Sequence, residues 1–361
     1  MGLVMFYSQK NLLENIGLPR WTPPFWPWVQ CVNRSSQKMG NNINAFKYTL
    51  KCETVEEIID WEPQNKLSFE EQIETQALNL KLRTEDKNVY LMYSGGIDST
   101  GALVSMMNTW GKDIERLHIL MSYRSIAEFP DLWPVINKKF KGRIINSIED
   151  NLEQYYSNGY IVTGEHGDQI FGSDQILKAN LFFGKQCIHD NYEKYLYPFY
   201  TRQFKNLNYL QRNGKNLKEF IDLLKWTTEY SPIEIKTLFD WVWWVNFTNK
   251  WQLVKYRNFS FSERNDNLSE PYSKFIHFFD TTSWQRWSID NHHLKIKDNV
   301  LTYKYPAKEY IVKKTGLDSY LNKPKVGSLQ HVWKNFTKPD GIDENFNKIS
   351  LDKCLEFLNN D

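Results

Sequence analysis

The feature that most constrains this chain is an abrupt change of local preference near residue 94. Val89-Tyr90-Leu91-Met92-Tyr93 is a short, apolar, β-prone run. Ser94-Gly95-Gly96-Ile97-Asp98-Ser99-Thr100 breaks it, and Gly101-Ala102-Leu103-Val104-Ser105-Met106-Met107 reads as the opening of a helix. Three further apolar runs, Leu117–Tyr123, Arg143-Ile144-Ile145-Asn146 and Tyr160-Ile161-Val162-Thr163, read as strands, and helix-length segments separate most of them. Strands alternating with helices predict an α/β fold, a doubly wound parallel sheet. In such a sheet ligands bind beyond the carboxyl ends of the strands, where the strand order reverses. The two glycine-rich turns of this chain, at 94–100 and 163–172, both follow predicted strands and therefore belong to that edge.

The flanking segments read differently. Residues 1–66 carry Pro19-Arg20-Trp21-Thr22-Pro23-Pro24-Phe25-Trp26-Pro27-Trp28, and repeated proline forbids a regular helix or a central strand there. This predicts an arm ahead of the core. Ser68 followed by Glu71 is a capping-box pattern, with Ile73, Ala77 and Leu80 at helical spacing behind it. Beyond about Phe182 the β signals thin out, and amphipathic stretches such as Lys215–Tyr230 and Ile233–Tyr256 predict a C-terminal helical lobe. The expected division is an arm over 1–66, a nucleotide-binding core over 67–185 and a helical lobe over 186–361.

Composition narrows the function classes. A chain of 361 residues can bury a substantial core, and a net charge of +2 makes no case for a dedicated nucleic-acid binder. An aromatic content of 16%, with 14 tryptophans, points to an aromatic core rather than a platform for stacked bases. Cys31, Cys52, Cys187 and Cys354 form neither a C-x-x-C pair nor a Cys/His cluster at metal spacing, which suggests free thiols in a reducing compartment. No run approaches the ~20 apolar residues of a membrane span, and the start of the chain matches neither a secretory nor a myristoylation signal. A soluble, cytoplasmic protein with no membrane partner is expected.

The chemistry concentrates in the first turn. Paired glycines let the backbone turn tightly with its N–H groups facing inward, and the following helix adds its positive end, so the turn makes an anion-binding nest. Ser94, Gly95, Gly96, Ser99 and Thr100 are the expected phosphate contacts. Asp98 is repulsive in such a nest unless a cation lies between, which suggests Mg²⁺ shared with a phosphate. A strand-to-helix turn that simply favours Gly, Ser and Asp is the plain alternative; six contiguous residues in the right context weigh against it. The turn lacks the lysine of a Walker A loop. Other residues must supply positive charge.

Ser94–Ser99 resembles the SGGxDS signature of the PP-loop, or N-type, ATP pyrophosphatases, a group with an adenine nucleotide alpha hydrolase-like fold. Among them, Thr163-Gly164-Glu165-His166-Gly167-Asp168-Gln169-Ile170-Phe171-Gly172 is similar to the asparagine synthetase stretch G-E-G-x-D-E-x-F-G-G. This resemblance implies Asp168 as a second Mg²⁺-pyrophosphate ligand beside Asp98. It also implies Glu165 as the acidic residue that orients or deprotonates the incoming nitrogen, and Gly164 as a point of close backbone approach. His166 stands where the family has Gly, either reshaping the substrate pocket or filling space, and Gln169 stands where it has Glu. Phe278-Phe279-Asp280 resembles the family's P-F-L-D. Lys304-Tyr305-Pro306-Ala307-Lys308 and Lys323-Pro324-Lys325-Val326-Gly327 resemble K-x-x-L-R and R-x-K-x-G-F. Lys304 and Lys325 are accordingly the candidates for neutralising the departing pyrophosphate, against the alternative that these lysines form a solvated basic face.

The resemblance, which covers about 67–330, implies an ATP-dependent ligase. A carboxylate would attack the α-phosphorus of Mg-ATP to give acyl-AMP and pyrophosphate, and ammonia or an amine would displace AMP. Gly2 replaces the nucleophilic cysteine of the family's glutaminase domain, and the segment before the first turn is too short for that domain, so the nitrogen is expected from free ammonia, a separate glutaminase or an amine substrate. The acceptor pocket is expected beside the second turn, near Phe182-Phe183 and Trp241-Val242-Trp243-Trp244. The alternative is a PP-loop enzyme that modifies a nucleobase or tRNA through an adenylated oxygen.

Overall fold

A computed structural model describes residues 67–146, 152–203, 231–249 and 273–321, with positions 221, 222, 224, 225, 228, 229, 251 and 254. The proline/tryptophan arm, Lys325, three of the four cysteines and most of 215–230 lie outside the described residues. In chain order the first elements are α1 (Phe69–Thr84), β1 (Asn88–Met92), α2 (Ile97–Thr109), β2 (Leu117–Met121), α3 (Tyr123–Glu128) and α4 (Trp133–Lys139). Next come β3 (Ile144–Asn146), α5 (Glu153–Asn158), β4 (Gly159–Thr163), α6 (Gly167–Phe171) and α7 (Gln175–Phe183). The remainder are α8 (Glu193–Gln203), α9 (Leu238–Asn249), β5 (Phe275–His277), α10 (Thr282–Asp290) and α11 (Tyr305–Thr315).

The sheet is α/β in class and wholly parallel, with strand order β3-β2-β1-β4-β5. From β1 the chain steps outward through β2 to β3, then returns to lay β4 and β5 on the opposite side. The order therefore reverses between β1 and β4, the two strands that lead into the glycine-rich turns. Val89, Leu91, Ile119, Ile161 and Val162 are completely buried, as expected of parallel strands covered on both faces.

Local chemistry sets the boundaries. The capping box at Ser68 forms as read: the Ser68 hydroxyl accepts from the Glu71 amide at 3.2 Å, and the Glu71 carboxylate accepts from the Ser68 amide at 2.8 Å. Behind it Phe69, Ile73, Ala77 and Leu80 make one buried stripe against α2. The second strand ends at Met121 and not at Tyr123, because Ser122 caps α3 through a reciprocal bond with Ser125. The strand β5 was not predicted. Its three residues are too few to reveal a period, and only pairing with β4 makes them a strand.

The described residues fall into two compact units. The first comprises the described parts of Leu67–Glu165, Ser269–Thr281 and Lys304–Asp361, and so contains the whole sheet with α11. The second comprises those of His166–Leu268 and Thr282–Tyr303. One boundary between the units falls at Glu165/His166; within the second unit α6 packs on α9 and α10, and α7 packs on α9. No described helix is long and apolar enough to cross a membrane.

The second unit is built around tryptophan. Trp241, Trp243, Trp244, Trp251, Trp284 and Trp287 are all fully buried, and the Phe171 ring meets those of Trp284 and Trp287 edge-on at 6.5 and 6.1 Å. Trp241, Val242, Trp243 and Trp244, expected near the acceptor pocket, are buried in the core of their unit. A polar chain runs through that core. Lys295, wholly buried, lies 3.8 Å from the centre of the Trp243 ring and donates to the Ser288 hydroxyl at 2.9 Å and to His292 Nδ1 at 3.0 Å. With Nδ1 accepting, the imidazole proton sits on Nε2 and is donated to Asp240 Oδ1 at 2.9 Å.

Burial, and then the charge of Lys295, push the His292 imidazole down to about 4. As pH falls, the unfolded chain takes up this proton first, so stability should drop between pH ~6.5 and ~4, by roughly 3 kcal/mol for a shift of this size. Urea unfolding from pH 7 to 4 checks it. The loss should be visibly smaller in His292→Gln; equal losses in both proteins would dismiss the role of this histidine.

Candidate functional site

The first turn leaves β1 on a fixed base. The Tyr93 amide donates to Leu120 O at 2.8 Å, which extends the strand pairing by one residue, and the Tyr93 carbonyl accepts from the Ser125 hydroxyl at 2.7 Å. Gly95 follows with φ of 75°, and a Cβ there would stand 2.2 Å from the Ser125 carbonyl oxygen. Both the left-handed backbone and the lack of space demand glycine. Gly96 is the N-cap of α2 and no side chain caps that helix. No side chain therefore satisfies the first amides of α2, as at helix N-termini that receive anions.

The two serines close the turn on itself. The Ser99 hydroxyl donates to Gly96 O at 3.1 Å and accepts from the Ser94 amide at 3.2 Å, and the two hydroxyl oxygens are 3.0 Å apart. The Gly96 amide donates to Ser94 Oγ at 3.3 Å. Ser94 is exposed and Ser99 is buried beneath it. Thr100, expected among the phosphate contacts, is fully buried, and its hydroxyl donates to the Tyr93 phenol at 3.3 Å. One residue further along the helix has turned that side chain inward. It supports the turn from below.

Asp98 lies half-buried in the first turn of α2, and the ammonium of Lys304 donates to its Oδ2. The two residues are 206 positions apart in sequence. Lys304 is 1% exposed and is the left-handed N-cap of α11, φ 63° and ψ 33°, followed directly by Tyr305 and Pro306. A non-glycine residue held in that conformation costs about 1–3 kcal/mol and persists where surrounding structure fixes it. Here α11 packs along α2 and brings its N-cap residue to the aspartate. The lysine missing from the turn is thus supplied by the other end of the chain, and the cation beside Asp98 is a side chain of the protein itself.

The second turn reaches the same place from β4. A Cβ on Gly164 would lie 2.6 Å from the Ser99 amide nitrogen, so the two turns meet backbone to backbone. Glu165 follows, half-buried, with its amide donating to Thr163 Oγ1 at 3.2 Å. Ser94, Gly95, Gly96, Asp98, Ser99, Gly164, Glu165 and Lys304 therefore all belong to the first unit, and the turns of β1 and β4 adjoin where the strand order reverses.

Asp168 belongs to the second unit, where its Oδ1 accepts from the Tyr303 hydroxyl at 3.1 Å. Its helix α6 is tightly held: Asn246 Nδ2 donates to Asp168 O at 2.9 Å and to Gly172 O at 2.6 Å, and Ser288 donates to Ile170 O at 2.7 Å. The two departures from the family pattern find physical accounts here. Gln169 donates to Asn246 Oδ1 at 3.2 Å, a contact that an ionised glutamate could not make. Position 166 has φ of 71°, a glycine-like conformation, and the His166 ring fills space against Trp251, 4.6 Å between ring centres, with Nε2 2.9 Å from Trp251 O. His277, Tyr303 and Asn246 carried no signal in the sequence, since none stands in a motif and each acts through a distant partner.

Among the described residues no group of three or more His, Cys, Asp or Glu could hold a metal ion alone. Asp98 with the adjoining serine hydroxyls suits a magnesium ion carried mainly by phosphate oxygens and water, which needs only one or two protein carboxylates. No protein-family model matches this chain, and no significant match was found among curated proteins or solved structures.

Proposed function

We propose that this chain is an ATP-dependent C–N ligase with asparagine synthetase-like chemistry, on a doubly wound sheet of adenine nucleotide alpha hydrolase-like type. A substrate carboxylate oxygen attacks the α-phosphorus of ATP, the bond from that phosphorus to the bridging oxygen breaks, and pyrophosphate leaves. Ammonia or an amine then attacks the acyl carbon, AMP departs, and the nitrogen gives up a proton. The turn at 94–99 and the start of α2 cradle the phosphates. Magnesium, when bound, would offset phosphate charge beside Asp98. Glu165 receives or directs the nitrogen's proton, and Lys304 stabilises the negative charge that grows on the departing pyrophosphate. Asp168 and Lys325 enter this reading through the resemblance alone.

The pairing of Lys304 with Asp98 carries the proposal. A buried lysine in a strained backbone, delivered to an aspartate in an anion-receiving turn, is costly as mere structure and useful where phosphate charge must be met. Sulfur transfer at Cys187, the described cysteine, is the weaker reading, since that residue is fully buried and burial pushes its thiol up to about 11. The test is pyrophosphate release from Mg-ATP across a panel of carboxylic acids and nucleotides, with and without ammonium. Acid-dependent release and ATP–pyrophosphate exchange are expected. Release with nucleotides only would move the acceptor to a nucleobase, and no release with any acceptor would sink the ligase reading.

A further inference from the structure

The sheet edge holds a histidine that the reaction scheme above does not use. His277 ends β5 and Thr163 ends β4; the two are register partners, both nearly buried, and Thr163 Oγ1 lies 2.7 Å from His277 Nδ1. The same oxygen accepts from the Glu165 amide at 3.2 Å. On the other side of Thr163, the carbonyl accepts from the Phe278 amide at 2.9 Å, which extends the pairing of β4 and β5 past their last residues. Gly164, between the threonine and the glutamate, is pinned against the Ser99 amide. Glu165 is thus held through its own amide by a hydroxyl whose rotamer an imidazole fixes.

We propose that His277 is a positioning residue for Glu165. A threonine hydroxyl has one proton and two acceptor sites. One acceptor site is taken by the Glu165 amide, and the remaining proton or acceptor site faces Nδ1, so either imidazole tautomer satisfies the contact. Without the imidazole, Thr163 is free to turn its hydroxyl to another staggered rotamer, and the local Thr163–Glu165 turn loses its lock. The carboxylate of Glu165 then leaves the strand edge in more than one direction. Misplacement of this kind costs rate in the step that the carboxylate serves, while the phosphate turn on β1 keeps its own supports.

The inference rests on the reading that Glu165 serves nitrogen transfer, and its test separates the two. In His277→Leu and in the isosteric Thr163→Val, the ratio of amide formation to ATP–pyrophosphate exchange should fall about tenfold, the worth of one lost hydrogen bond. His277→Asn, whose side-chain oxygen falls near the position of Nδ1, should recover most of it. Amide hydrogen exchange at Glu165 supplies a readout that does not need turnover: about tenfold faster exchange in His277→Leu and Thr163→Val, near wild type in His277→Asn. Silence of the wild-type protein in both assays would remove the ligase reading and leave the exchange measurement to decide the positioning. An unchanged ratio with active wild type, equal exchange at Glu165 in all variants, or no recovery by asparagine would overturn the proposal for His277.

Discussion

Replacing Asp98 with asparagine is expected to reduce pyrophosphate release about 1000-fold or more, because the change removes the one carboxylate in the phosphate turn that can share a cation with the nucleotide. The amide keeps the size and one acceptor oxygen of the original. The fold should survive, at a cost that its partner determines. Lys304 is 1% exposed, and losing the charge opposite a buried ammonium costs about 3–5 kcal/mol when nothing replaces it. With an acceptor oxygen still present the penalty should be smaller, about 1–3 kcal/mol. Urea unfolding measures the second number and a coupled pyrophosphate assay the first. A further substitution separates them: Asp98→Asn/Lys304→Met should regain stability over Asp98→Asn alone while staying inactive. Turnover near wild type in Asp98→Asn would rule out the metal role of this aspartate.

Lys304→Met should lower turnover about 100- to 1000-fold with a much smaller change in the ATP KM, since the ammonium matters most when charge develops on the departing pyrophosphate. Methionine keeps most of the buried stem, so packing around α11 is largely retained. Lys304→Gly is the companion variant. The position has φ of 63°, which glycine adopts freely, so relief of backbone strain should offset part of the lost packing. Both variants should be equally slow if the ammonium acts in the reaction. If the ATP KM rises by the full factor while turnover holds, Lys304 binds ground-state phosphate instead. If only the methionine variant is slow, the effect belongs to the backbone and not to the charge.

Much of the fold is legible in the order of the residues. The capping box at Ser68, the first four strands to within two residues at their ends, and the placement of both glycine-rich turns after strands all follow from local rules. Local rules fail where the partner is remote. Phe275-Ile276-His277 becomes a strand only through β4, and Thr100 resembles its neighbours in sequence although the helix turns it inward. Tryptophan serves cores and pockets alike, so the sequence could not place Trp241, Trp243 and Trp244; the structure buries all three in the core of their unit. His166 could be read either way, and its contacts with Trp251 show it filling space.

By itself the sequence determined the tight glycine turn between β1 and α2, since Ser94-Gly95-Gly96-Ile97-Asp98-Ser99 between an apolar run and a helix carries its backbone geometry in its own residues. It also determined the α/β class, through alternation of apolar runs with helical segments. Only the tertiary structure decided which cation faces Asp98, which histidine meets the Thr163 hydroxyl, and how closely the two turns approach. The physical reason is range: a turn or a cap is settled by residues within one helical turn of each other. An ion pair spanning 206 residues, or a bond between the last residues of two paired strands, exists only after the chain has returned to the same sheet edge.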